Sequence, residues 1–451
     1  MSGNRLPSLI AGLASEEYSP PAPGRAELLA RQAVAEAAPW PARTSTAMIL
    51  RTFDRAAGGG FFSIPGDAEH DPGAAQQAFE RGTGSYVIDV QTHLVNPARW
   101  SGGGAEALAG FLTMVDPDRW GDGIDPTRLS AARWAAHVFG ESETNIALLT
   151  SLPGRAHENV LTNPEIAGCR DLVDRYAGTG RVLTHAIVHP NLGRAEIEQL
   201  PEWSAGLAPA GWKVYTLWDP PERLEPGETG HGWFLDDEEI GIPFLEMVQA
   251  VGPRIVCAHK GIGGPVPGTS PAGSSPRDIG PVARHYPDLT FVVYHSGYEV
   301  DPEGEEGPYT ESTRDRGVNR LVASLEDSVV DPGTNVYAEL GSTWYLALRR
   351  PREAAHILGK LLVAVGEDRI LWGTDSIWYG SPQSLIDSLW TFEIPQDMQA
   401  EFGYPALTPS IKHKILWENA AELYGVTADV LQRATSPIDR DQLGTLTGVL
   451  K

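Results

Sequence analysis

Five apolar runs in this 451-residue chain each carry, at or near their ends, a side chain able to grip a metal ion or move a proton. They read Val87-Ile88-Asp89-Val90-Gln91-Thr92-His93, Trp212-Lys213-Val214-Tyr215, Ile255-Val256-Cys257-Ala258-His259, Phe291-Val292-Val293-Tyr294-His295 and Ile370-Leu371-Trp372-Gly373-Thr374-Asp375. A single histidine after a hydrophobic strand is more often a packed or capping residue than a ligand. Taken together and in order, the runs describe a metal site at one mouth of a parallel barrel.

Strand side chains alternate between faces, so Asp89, Gln91 and His93 share one face, as do Cys257 with His259 and Gly373 with Asp375. In a barrel those faces point inward and converge at the strand ends. Imidazole nitrogen and carboxylate oxygen suit Zn²⁺, Fe²⁺ or Mn²⁺, and without thiolates nothing selects zinc. Three or more such ligands with an open position would draw the pKa of a bound water toward about 7.

Elements that could position these residues recur along the chain. Strand ends fall near His93, Thr150, Val188, Tyr215, His259, His295, Leu340 and Asp375, separated by 27 to 57 residues, as successive βα units require. Between them, segments 127–139, 164–176, 243–251, 318–329 and 351–365 carry apolar residues at three- and four-residue intervals and read as helices, followed by 383–392 and 411–424. The expected fold is therefore a (β/α)8 TIM barrel over residues 85–426. Residues 1–84, rich in Pro, Gly and Ala with one helix expected over 27–38, read as an extension packed on the barrel. Residues 427–451 read as a polar tail placed for subunit contacts. Two long stretches, 261–280 and 301–317, follow His259 and His295 and should emerge beside the site as substrate loops.

Composition narrows the partners. A formal net charge of -24 disfavours nucleic acid and anionic lipid, which need a basic surface, and leaves a small-molecule substrate. Cys169 and Cys257 are the two cysteines, with no CxxC spacing, which suits a reduced cytoplasmic protein. Neither a secretory leader nor a run of about 18 apolar residues is evident.

The chain from about Tyr86 to Tyr424 resembles the amidohydrolase superfamily, in its amidohydrolase 2 branch of hydrolases and decarboxylases related to aminocarboxymuconate-semialdehyde decarboxylase. Asp89-Val90-Gln91-Thr92-His93 stands where that family carries Asp-x-His-x-His, His259 and His295 match its fifth- and sixth-strand histidines, and Gly373-Thr374-Asp375 its eighth-strand motif. Lys414-Ile415-Leu416-Trp417-Glu418-Asn419-Ala420-Ala421-Glu422-Leu423-Tyr424 matches its closing helix. The resemblance implies one or two divalent ions, with His93, His259 and Asp375 as ligands and Gln91, in place of the usual histidine, as a weak fourth. It implies that His295 binds a second ion or holds the attacking water. Asp375 is the implied general acid/base. Lys213 occupies the place of a carboxylated bridging lysine, or is an ordinary lysine contacting a substrate carboxylate. A homodimer is common in that family.

Other candidates read more plainly. His185 and His189 lie on or beside a strand and suit packing, Cys257 suits a small buried position, and Glu339 is divided between substrate contact and a salt bridge. Aromatic residues crowd the expected mouth, with Trp218, Tyr215, Trp344, Trp378 and Tyr298 as candidates for a bulky apolar or aromatic substrate, alongside Trp212 and Trp372. Three functions are therefore in view. The first is a metal-dependent hydrolase acting on a C–O, C–N or thioester bond. The second is a non-oxidative decarboxylase of an aromatic or unsaturated acid. The third is a metal-depleted barrel that only binds a ligand.

Overall fold

Eight parallel strands follow one another around one sheet in chain order. They are β1 (Ile88–His93), β2 (Ile146–Thr150), β3 (Val182–Ile187), β4 (Gly211–Tyr215), β5 (Ile255–His259), β6 (Thr290–Tyr294), β7 (Val336–Glu339) and β8 (Ile370–Leu371). The computed structural model describes residues 43–155, 157–177, 180–220, 230–263, 269–300 and 306–434. The sheet closes on itself where Val90 N donates to Trp372 O at 3.0 Å and Asp375 N to Gln91 O at 2.9 Å. The chain is thus a (β/α)8 barrel. Its strands are buried on both faces, which is why they read as continuous apolar runs.

The eighth run is a regular strand for only two residues. Beyond Leu371 the chain still follows β1, through a parallel bridge between Thr92 and Ser376, but turns as it goes. That turn aims Asp375 inward. Inside the barrel lie Ile146, Cys257, Val292, Tyr294 and Leu371, while Val214, Val256, Phe291, Val293 and Ala338 pack outward against the helices.

Helices form where the apolar spacing predicts them, at Asn163–Ala177, Gly241–Val251, Asn319–Asp327, Pro351–Ala364 and Gln383–Thr391. Pro351 opens its helix in the first turn, where no amide donor is needed, and Ala354, Ile357, Leu358 and Leu361 form the buried stripe. Two expected helices are broken. Over 127–139, Ser130 accepts from Arg133 N and restarts the helix, which then widens into a π-turn at Ala136–Gly140. Over 411–424, a π-turn at Lys414–Glu418 interrupts the helix, and Ile415 O accepts from Trp372 N at 3.0 Å, tying this segment to β8.

Of the expected tail, residues 427–434 are described. Thr427 caps a helix at Ala428–Arg433 whose Leu431, with Ala434 after it, is buried; residues 435–451 lie outside the described set. The helix expected over 27–38 also lies outside it. Arg43–Ala56 is helical and buries Ala47 and Leu50, and Phe62 packs edge-on to Phe392 with ring centroids 5.3 Å apart. Among the described residues no helix is long and apolar enough to cross a membrane.

Candidate active site at the barrel mouth

Asp375 sits in the turn after β8 at φ 62, a left-handed backbone held by its surroundings. Asp89 anchors that turn, accepting from Thr374 N at 3.0 Å and from the Thr374 hydroxyl. Burial nevertheless pushes the Asp89 carboxyl up to about 7. Asp375 Oδ1 accepts from Gln91 Nε2 at 3.0 Å and lies 3.0 Å from His93 Nε2, while Oδ2 accepts from the Ser342 hydroxyl. Burial alone would raise the Asp375 carboxyl, but these contacts, the imidazole above all, hold it well below the usual carboxylate range.

The other half of the site is built from β5 and β6. His295 leaves β6 in a left-handed turn, with φ 59 followed by 52 at Ser296. Glu339 at the end of β7 holds that turn, its Oε2 accepting from His295 N at 3.0 Å and its Oε1 from Gly341 N. Thr343 Oγ1 donates to His295 O at 2.7 Å. Burial pushes the Glu339 carboxyl up to about 8. Sequence reasoning divided Glu339 between substrate and salt bridge; its hydrogen bonds instead run to backbone amides.

The imidazoles of His259 and His295 meet at 3.1 Å, Nδ1 to Nε2. His259 Nε2 faces Ile262 O at 3.3 Å and His295 Nδ1 faces Gly341 O at 2.7 Å. A carbonyl only accepts, so each outer nitrogen carries the proton and each inner nitrogen carries a lone pair. Burial pushes both imidazoles down, His295 to about 4 and His259 well below its ordinary value, so no proton sits between them at neutral pH. Two lone pairs aimed at one another are an arrangement that a cation relieves.

The candidate ligands therefore form two touching pairs, His93 with Asp375 and His259 with His295. Among the described residues no three His, Cys, Asp or Glu side chains converge as a metal-binding group. The donor chemistry still suits a divalent ion. The separations of 3.0 and 3.1 Å within the pairs are near the edge of a ligand tetrahedron, about 3.3 Å for bonds of about 2.0–2.1 Å. Three buried polar atoms nearby have no hydrogen-bond partner: Gln91 Oε1, His93 Nδ1 and Lys213 Nζ. Lys213 Nζ lies 3.2 Å from the Tyr294 ring centroid, and burial pushes its ammonium down to about 7.

Two expected substrate aromatics flank these pairs. Tyr215 stacks on His259 with centroids 5.0 Å apart and Trp378 on His93 at 5.2 Å; Trp218 packs edge-on to His189 nearby, at 4.8 Å. Trp344 does not face the site, since its indole donates to Ser388 Oγ at 2.8 Å and packs edge-on to Phe392 in the helical layer. Trp212 is likewise turned outward, donating to Pro253 O at 2.9 Å. Tyr298 and Trp372 are buried in the same outer core. Sequence reasoning missed Ser342, which bonds Asp375 from the loop after β7, and Tyr379, which meets the Ser342 hydroxyl; the available signal was the Gly341-Ser342-Thr343 run after β7 and the polar ring four residues after Asp375.

The chain belongs to the amidohydrolase 2 family, described as Amidohydrolase, which matches residues 88–426. Among solved structures it is similar to a 5-carboxyvanillate decarboxylase from Novosphingobium aromaticivorans, complexed with manganese and 4-hydroxy-3-methoxy-5-nitrobenzoic acid. That pair shares 14% identity over 77% of this chain and 97% of the other, with TM-score 0.47. A probable 2-pyrone-4,6-dicarboxylic acid hydrolase from Acinetobacter baumannii, with citric acid bound, shares 14% identity over 75% and 99%, with TM-score 0.45. A 2,6-dihydroxybenzoate decarboxylase from Rhizobium shares 15% over 76% and 99%, with TM-score 0.42. No curated protein matches the chain.

Proposed function

We propose that this protein is a metal-dependent hydrolase of a C–O, C–N or thioester bond in a small, bulky apolar or aromatic molecule. The observation that carries the reading is the 3.1 Å approach of His259 Nδ1 to His295 Nε2, each ring's other nitrogen facing a carbonyl, next to an Asp375 carboxylate 3.0 Å from His93. His93, His259 and Asp375 would hold a divalent ion, with His295 as a further donor and the Gln91 amide oxygen as a weak one. Lys213 stands by as a buried amine able to join them or to meet a substrate carboxylate. When bound by these residues, such an ion would supply Lewis acidity toward water and a carbonyl oxygen.

The protein's own groups do the rest. Asp375, ionised at neutral pH, accepts a proton from the attacking water and returns it to the leaving group. His295, its outer nitrogen fixed on Gly341 O, has one lone pair to give, either to an ion or, where it is not a ligand, to the same water. Tyr215 and Trp378 wall the centre with apolar ring faces, which favours a flat or bulky substrate.

Purified protein loaded with Mn²⁺ or Zn²⁺ and offered 4-nitrophenyl acetate, dihydrocoumarin and 2,6-dihydroxybenzoate in H₂¹⁸O tests this directly. Hydrolysis predicts one ¹⁸O in the acid product and its loss in the Asp375→Asn variant. Release of CO₂ without label in the organic product would assign the protein to decarboxylation instead. Protein that retains no metal and turns over nothing would be a ligand-binding barrel.

A further inference from the structure

We propose that Ser342 and Tyr379 form a hydroxyl chain that positions Asp375, fixing its Oδ2 so that Oδ1 alone faces the metal-and-water side of the site. This deepens the reading above and rests on it. The Ser342 hydroxyl has one hydrogen and gives it to Asp375 Oδ2, so at the 2.7 Å contact between Ser342 Oγ and the Tyr379 hydroxyl the tyrosine is the donor. The chain is polarised in one direction, from Tyr379 through Ser342 to the carboxylate, and both hydroxyls strengthen its hold on negative charge.

The backbone around Ser342 supports a role beyond packing. Ser342 has φ 53 and ψ -39, the centre of a γ-turn in which Thr343 N donates to Gly341 O at 2.5 Å. That turn is rare and strained for a residue with a side chain, and glycine adopts it at lower cost. A serine there keeps a hydroxyl at a position whose backbone favours none. Tyr379 is braced for the same purpose: its ring stacks on Tyr345 at 3.7 Å and 15°, and Tyr345 OH is fixed by Arg349 Nη2 at 2.6 Å. The far end of the chain is thereby held by an aromatic pair and cannot swing away from Ser342.

Ser342→Gly separates position from fold, because it relaxes the turn while deleting the hydroxyl. Calorimetric titration with Mn²⁺, on wild type, S342G, Y379F and the double variant, reads the effect without any substrate. Affinity is expected to fall about 10- to 100-fold in S342G, as for other groups that hydrogen-bond a metal ligand, and by less in Y379F. The metal-free melting temperature of S342G should equal or exceed that of wild type. The double variant should bind no more weakly than S342G, since Tyr379 acts only through Ser342. Wild-type affinity in S342G, or losses that add in the double variant, overturns the proposal. If S342G melts lower than wild type, Y379F decides, and unchanged Mn²⁺ affinity there overturns it equally. Wild type that binds neither Mn²⁺ nor Zn²⁺ removes the metal reading and this proposal together. Wild type that binds, with D375N weakened and S342G not, removes this proposal alone.

Discussion

Gly373→Ala tests how tightly the site's supporting layer is assembled. A Cβ at Gly373 would lie 1.8 Å from Glu339 Oε1 and 3.1 Å from Gln91 Cβ. Ordinary contact begins near 3.4 Å, so the carboxyl group must retreat by about 1.6 Å. It has nowhere to go without releasing His295 N or Gly341 N, both of which it holds. One buried amide left unpaired costs about 1–3 kcal/mol, and forcing a methyl into a packed core costs about 1–3 kcal/mol more. A loss of about 2–6 kcal/mol follows, a large share of the stability of an ordinary domain. Guanidinium midpoints at pH 7 in EDTA would be compared for G373A, E339A and the double variant. In E339A the amides are already unpaired and the space is open, so adding the Gly373→Ala change should cost nothing further, its methyl filling part of the gap. A wild-type midpoint in G373A, or losses that add in the double variant, would refute the reasoning.

Three further outcomes are expected. Asp375→Asn should lower turnover by at least about 100-fold while circular dichroism stays that of wild type; wild-type rates would remove Asp375 from the chemistry. Mn²⁺ at about 100 times its Kd should stabilise the protein by about 2.7 kcal/mol, reversed by EDTA, and an unmoved melting curve would argue against a metal centre. Acid should destabilise the metal-free protein. Burial holds His295 at about 4, below the ordinary imidazole value near 6.5, so the unfolded chain binds the extra proton between them. The contribution is present above about 6.5 and is lost as pH falls toward about 4, by about 3 kcal/mol, and H295Q should flatten that slope.

Strand order was readable because parallel strands buried on both faces leave uninterrupted apolar runs, as in β5 and β6. The helix breaks were not, because the π-turn that precedes Asn419 goes with a hydrogen bond to Trp372, a partner distant in sequence. Proximity to a strand end also proved a poor guide to direction. Trp344 and Tyr298 follow β7 and β6 closely, yet both are buried in the outer core, while Tyr379 comes back to Asp375 through Ser342.

Residue chemistry and spacing were enough to establish which groups exist at the strand ends, because the period of a strand is local and each run declares itself within a few residues. What lies between those groups is set by contacts among segments far apart in the chain. Only the folded barrel brings His259 lone pair to lone pair with His295, places Glu339 beneath backbone amides, and gives Asp375 a hydroxyl chain through Ser342. Each of these depends on a turn after a strand, where backbone direction is decided by tertiary hydrogen bonds and not by the local alternation of side chains.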